Sequence, residues 1–280
     1  MKYRRVELLV LTASKEIKDE EICVIGQGIP MAAGALAKKY HAPNATILTE
    51  AGMIDIDIFQ NLEDVADPGS TKGFSYSTDL FDVFTTVVNR GFADVCMLGA
   101  AQLDRYGNIN STVVGDYEIN SRRDIRLAGS GGANEFAGHC NRTVLTLVGG
   151  KFVKQLDYMT SPGWLSGGNS REEAGLPGGP SAVITKQGLF RFEEDTKELY
   201  LDAIYPETTL EDVKKQVPWE LKTAEDLGKE IQHIEHPKKK DIEFIRDFEP
   251  FFGMSGHFGR LFQAQVLPVH YERGEEINIT

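Results

Sequence analysis

Cysteine is scarce in this chain: three thiols, Cys23, Cys96 and Cys140, among 280 residues. The odd count, with Cys23 and Cys96 inside apolar strand-like runs, excludes a disulfide framework and makes these residues small buried hydrophobes. Long apolar runs are missing too. Those from 94 to 101 and from 143 to 149 fall far short of the roughly 20 residues that span a bilayer, so no membrane segment or membrane partner is expected. Positive charge is in deficit. A formal net charge of −12 argues against a nucleic-acid partner, whose phosphates reward clustered Lys and Arg. The one basic run, Lys238 to Lys240, is offset by Glu235, Asp241 and Glu243 and reads as a solvated face. The charged opening at 1–5 leads only into a short apolar run at 6–11, unlike an export signal, and the cytoplasm is the expected address.

What is present is an α/β pattern. Residues 21–25 predict a strand, 26–30 a turn and 31–40 an Ala-rich helix, with Pro30 suited to its first position; 45–49 predict a second strand. This is one βαβ unit, so its two strands should be parallel and share a sheet. Glu50 follows directly at a strand's carboxyl end, the edge of an open α/β sheet where ligands bind. A further helix is predicted from Asp79 as N-cap, through Leu80, Val83, Phe84, Val87 and Val88 on one inward face, to Gly91. Strands are expected at 94–98, 143–149, 182–185, 189–192 and 199–203, the last three in an antiparallel or mixed part of the sheet. A helix over 206–217 is expected to open with a capping box of Thr208 and Glu211. Residues 218–250 are charge-rich and partly helical, and 251–280 mixes Phe, Gly and His without a period.

Several motifs fail on inspection. Gly26-Gln27-Gly28-Ile29-Pro30 has the strand-turn-helix setting of a phosphate-binding glycine turn. Met31 stands where a dinucleotide fingerprint needs its third glycine, and no acidic residue takes the ribose-binding role. Gly150-Lys151 lacks the rest of a Walker A loop. His233 and His236 have no convincing third ligand, so no metal is expected. Gly253-Met254-Ser255-Gly256-His257 breaks the nucleophile-elbow pattern at its last residue and follows no strand.

Three segments remain: Thr49-Glu50-Ala51-Gly52; Gly99-Ala100-Ala101-Gln102-Leu103-Asp104 with Gly107-Asn108; and Gly129-Ser130-Gly131-Gly132-Ala133-Asn134. In this order, with Gly26-x-Gly28-x-Pro30, Gly115-Asp116-Tyr117 and Thr160-Ser161-Pro162-Gly163-Trp164, the chain resembles the class I coenzyme A-transferases from about residue 16 to 250, most closely the β subunit of the glutaconate enzyme. The resemblance implies an open, mixed, mainly parallel sheet flanked by helices. It divides the chain into a β-subunit domain at 1–250 and an extension at 251–280 to which it assigns no role. It implies that Glu50 is the catalytic nucleophile, that coenzyme A is a co-substrate with no tightly bound cofactor, and that a homologous α subunit completes the site. Ala51 matches the glutaconate-type branch, where relatives acting on 3-oxoacids carry Glu-Asn-Gly.

The chemistry fits these residue types. A thioester is activated enough for a carboxylate to attack it, giving a mixed anhydride and then a glutamyl-CoA thioester. Each tetrahedral intermediate carries an oxyanion, and backbone N–H groups of small residues approach it without Cβ interference; Gly131, Gly132 and Ala133 suit that role. Gly99 and Ala100, with Gln102, are expected along the CoA path, and Gly26 and Gly28 with the CoA-binding set. Retention of Glu50 favours transfer over the hydrolysis or decarboxylation of CoA esters found among relatives. A ligand-sensing role would need an output element, and none is visible.

Overall fold

The computed structural model describes residues 2–26, 28–58, 67–118, 124–248 and 277–278. The expected βαβ unit is its nucleus. Strand β1 (Ile22–Ile25), helix α2 (Ile29–Tyr40) and strand β2 (Thr46–Leu48) place β1 and β2 in parallel, with Cys23 opposite Ile47. Pro30 lies in the first turn of α2, where its missing N–H costs nothing, and Lys38 and Lys39 lie in the last, where they face the negative end of the helix dipole. Strand alternation then divides the core: Cys23, Ile25 and Ile47 pack with α2, and Val24 and Leu48 face the other way.

Eleven described strands make the main sheet. The others are β3 (Met53–Ile54), β4 (Tyr76–Ser77), β5 (Val95–Gly99), β6 (Arg142–Leu147), β7 (Pro180–Thr185), β8 (Gly188–Phe192), β9 (Leu199–Ile204), β10 (Lys222–Thr223) and β11 (Gln232–His233). Their order is β10-β9-β8-β7-β6-β5-β1-β2-β3-β4, with β11 beside β10 on the free edge of β9. The five central strands, from β7 to β2, run parallel; β3, β4 and β8 make the antiparallel pairings. The mixed, mainly parallel expectation describes this sheet.

One face carries α1 (Arg5–Ser14), α2 and α6 (Lys239–Phe248). The other carries α3 (Leu80–Asp82) with its π-helical continuation Val83–Val88, α4 (Ala133–His139) and, farther along, α5 (Leu210–Lys214). A small sheet of Gln102–Leu103, Ile109–Asn110 and Lys151–Phe152 adds to this second layer. No described helix is long and apolar enough to cross a membrane.

The 6–11 run forms the body of α1, in which Glu7 is fully buried beneath Arg246 of α6, at 2.7 Å, and accepts the Arg4 N–H. Two local differences from the expected pattern have physical causes. The capping box of α5 is Thr209 with Asp212, one residue beyond the expected pair. Thr208 and Glu211 have the same spacing, but the Thr208 hydroxyl accepts a bond from Arg5 Nη1 at 2.7 Å and is spent on that contact. The Asp79 cap is as expected, bonding the Asp82 N–H at 2.9 Å, yet Leu80 is exposed. The helix widens to π geometry after Asp82, so Val83 and Val88, five apart, share the buried face and Leu80 rotates off it. The extension at 251–280 lies outside the described residues except Ile277–Asn278, which pairs antiparallel with Lys2–Tyr3.

All three cysteines are free and buried, and burial pushes the Cys23 thiol up to about 12. The native protein at pH 8 should therefore leave an aromatic disulfide reagent unreacted, and the denatured chain should consume three equivalents. Rapid reaction of a native thiol would contradict this packing.

Candidate active site

Parallel register sets the site before any side chain does. Pairing of Val24 with Leu48 and of Ile25 with Met97 aligns the carboxyl ends of β1, β2 and β5. Gly26 and Gly28, Glu50, and Gly99 with Ala100 therefore emerge along one sheet edge.

The turn after β2 is tightly specified. The Thr49 N–H donates to the Met53 carbonyl, and the Gly52 N–H to the Thr49 carbonyl. Gly52 has φ +104°, and a Cβ there would run into the Thr78 carbonyl, so only glycine closes the turn. The Thr78 N–H donates in return to the Gly52 carbonyl at 2.9 Å. The Glu50 turn is thereby strapped to the segment that starts α3.

Glu50 is half-buried and points across to the glycine loop that precedes α4. A methyl built on Gly132 would stand 2.5 Å from Glu50 Oε2, 2.6 Å from Phe84 Cζ and 2.9 Å from Phe136 Cε2. Two expected segments, far apart in sequence, thus meet at the carboxylate. Among the described residues no group hydrogen-bonds the Glu50 side chain, and the amides of Gly131 and Gly132 have no protein acceptor. The Ala133 N–H, by contrast, donates to the Ser130 carbonyl at 2.8 Å. Its amide closes the turn into α4 and is not available to a ligand, which leaves the amides of Gly131 and Gly132 as those of this loop without an acceptor among the described residues.

The second expected segment is chiefly framework. Gln102 is buried, its Nε2 donating to Asp157 Oδ2 at 2.8 Å and its Oε1 accepting from Asn110 and the Asp157 N–H. This amide is committed inside the protein, so Gln102 stands outside the CoA path that was expected for it. Asp104 accepts the N–H groups of Tyr106 and Asn108 and the Asn108 side chain, while burial raises its carboxyl above the ordinary range. Asn108 Oδ1 in turn accepts from Gly163 and Leu165. The segment from Gly99 to Asn108 thereby holds the loop around Trp164; at its strand end Gly99 is exposed and Ala100 half-buried.

Three participants escape a reading of the sequence. Phe84 and Phe136 stack with centroids 5.0 Å apart beside Gly132, on the side that the Glu50 carboxylate approaches. Arg171, 1% exposed, donates to the carbonyls of Ala137 and Gly138 in the last turn of α4, and to those of Pro162, Gly163 and Pro177. A buried cation solvated by carbonyls fixes the far end of the helix whose near end presents the glycine loop. Burial lowers its pKa from the usual arginine value. An isolated arginine in a Ser-Arg-Glu-Glu run carries no signal of this role.

A coenzyme A transferase family model matches residues 6–216. The chain is 34% identical over 259 residues to the β subunit of glutaconate CoA-transferase from Acidaminococcus fermentans, covering 88% of this chain and 92% of that protein. It is 31% identical over 250 residues to the β subunit of 3-oxoadipate CoA-transferase from Pseudomonas knackmussii, with 88% and 94% covered. The crystal structure of glutaconate coenzyme A-transferase from A. fermentans matches with a TM-score of 0.80 and 30% identity, over 95% of this chain and 98% of that one.

Two outcomes test this geometry. Arg171→Met should lower unfolding free energy by about 3 kcal/mol in denaturant titration, because it strands buried carbonyls. Gly132→Ala should cost about 1–3 kcal/mol of stability, because its methyl collides with the Phe84 and Phe136 rings, and in the folded variant should reduce turnover on the order of 100-fold, since the same methyl displaces the Glu50 carboxylate; wild-type turnover would show that the close approach is dispensable.

Proposed function

We propose that this chain, which belongs to the coenzyme A transferase family, supplies the nucleophilic glutamate of an enzyme that moves CoA between an acyl-CoA and a carboxylic acid. The observation that carries the reading is the meeting of Glu50, at the carboxyl edge of the parallel sheet, with the Gly131–Gly132 loop, whose amides have no acceptor among the described residues. The Glu50 carboxylate attacks the thioester carbonyl, the oxyanion forms against those amides, and CoA leaves as thiolate. The thiolate attacks the glutamyl carbonyl of the mixed anhydride and releases the first acid, leaving a glutamyl-CoA thioester. The incoming carboxylate attacks that thioester, and the same steps in reverse place CoA on the new acyl group. No water enters, and the thioester bond energy is kept.

CoA enters as co-substrate, its path running past Gly99 and Ala100 and the turn at Gly26 and Gly28, all at the same edge. A glutaconate-like dicarboxylic acid is the proposed partner in exchange, supported by the Glu50-Ala51-Gly52 sequence and by the relative that carries that name. Residues 1–250 are taken as the functional unit. A homologous α subunit is proposed to cover the open side of the site. Both transferase relatives are themselves named as single subunits, and large apolar side chains flank the Glu50 strap: Tyr76, Leu80 and Phe81 are 59%, 54% and 70% exposed. Such a cluster beside a site that must exclude water marks an interface. The cytoplasm is the proposed address, in keeping with three free, buried thiols.

With its companion subunit and acyl-CoA but no acceptor acid, the protein should accumulate CoA covalently attached at Glu50, detected by mass spectrometry of the digested chain. Glu50→Ala should abolish exchange while the complex still assembles. Steady CoA release from an unmodified Glu50 would mark a hydrolase instead.

A further inference from the structure

We propose that Phe84 is a positioning residue for Glu50, holding the carboxylate through its ring edge and setting the partition of the acyl-enzyme between transfer and hydrolysis. The inference rests on the reading of Glu50 as nucleophile and adds a residue to it. The carboxylate has no hydrogen-bond partner among the described residues, and Gly132 packs closely against it. Gly132 lies on one side of that packing, and the stacked rings of Phe84 and Phe136 lie beside it.

The ring atoms nearest the point where a Gly132 methyl would stand are the ring-edge carbons Cζ of Phe84, 2.6 Å away, and Cε2 of Phe136, 2.9 Å away, with Glu50 Oε2 2.5 Å from the same point. An aromatic ring is positive at its edge, so these C–H groups attract an anion without giving it a hydrogen bond. A hydroxyl or amide donor in the same place would stabilise the free carboxylate and weaken it as a nucleophile. The ring edge holds it and leaves its lone pairs to the substrate.

The backbone is adapted to this arrangement. Phe84 is carried on the π-helical turn Val83–Val88, where the Asn89 N–H bonds the Phe84 carbonyl at 2.8 Å, five residues back. That wide turn is the less stable register of a helix, and π segments recur at functional sites. Here it lets Val83 and Val88 anchor in the core while Phe84, between them, stays half-buried beside Gly132. The Asp79 cap and the Thr78–Gly52 bond tie the start of the same helix to the Glu50 turn, so ring and carboxylate are positioned by one continuous unit.

Removing the ring opens this side of the anhydride and of the glutamyl thioester to water. A water oxygen then attacks the carbonyl, the bond to the glutamyl oxygen or to the CoA sulfur breaks, and the proton released passes to solvent or to the thiolate. The products are free acid, free CoA and regenerated Glu50.

The test uses the complex with its companion subunit, comparing acceptor-dependent exchange with acceptor-free CoA release in wild type, Phe84→Ala and Phe84→Tyr. Phe84→Ala should raise the ratio of hydrolysis to transfer on the order of tenfold. Phe84→Tyr, which keeps the stack and adds a hydroxyl at Cζ next to the carboxylate, should lower kcat for exchange on the order of tenfold with little change in KM or in complex stability. An unchanged ratio in the alanine variant, or exchange at the wild-type rate in a folded tyrosine variant, overturns the proposal. A wild-type complex that forms no CoA adduct at Glu50 fails the parent reading instead, which separates the two.

Discussion

Close approach of three backbone segments at Glu50 is the constraint on which the site depends. Gly132 comes so near the carboxylate and the two phenylalanine rings that no β-carbon fits, and Gly52 is equally confined beneath the Thr78 carbonyl. Packing of this density holds a charged side chain without a hydrogen bond, because each neighbour is itself fixed. The strand carrying Glu50, the helix carrying Phe84 and the loop carrying the two open amides are braced by separate means: parallel sheet pairing, the Asp79 cap with its π turn, and the buried guanidinium of Arg171.

The bracing follows the direction of the chemistry. An attacking carboxylate changes from anion to ester-like acyl group and back, while negative charge moves onto the substrate oxygen. The proposed attack needs donors at the oxyanion and not at the nucleophile, and the loop beside Glu50 holds two amides, of Gly131 and Gly132, without an acceptor among the described residues. The polar network of Gln102, Asp104, Asn108 and Asn110 lies to the side and shapes the loop around Trp164. It braces that loop and makes no hydrogen bond to the Glu50 side chain.

Periodicity and punctuation made much of the fold legible. Apolar runs bounded by turns located every long strand of the sheet, Pro30 and Asp79 marked helix starts, and the βαβ unit placed Glu50 at the ligand-binding edge. Where two local signals were equivalent, tertiary contacts chose between them. Thr208 with Glu211 matched a capping box, but Arg5, reaching across from the first helix, engages the Thr208 hydroxyl, and the cap is Thr209 with Asp212. Leu80 matched a helical stripe, but the helix changed period beneath it. Gln102 belongs to a distinctive motif, yet distinctiveness does not separate a ligand contact from a buried brace, since both demand a particular residue.

By itself the sequence determined the α/β class, the parallel nucleus, the transferase family and the candidacy of Glu50 and the glycine loop, because these rest on residue spacing within short stretches of chain. Tertiary structure alone decided which amides of that loop lack an acceptor among the described residues, that the stacked Phe84 and Phe136 rings crowd Gly132 beside Glu50, and that Arg171 anchors the helix behind it. Those relations join residues far apart in sequence, and neither composition nor period encodes a distance between them. A free amide is recognised only once every other acceptor is in place, and a packed wall only once the chain has closed around it.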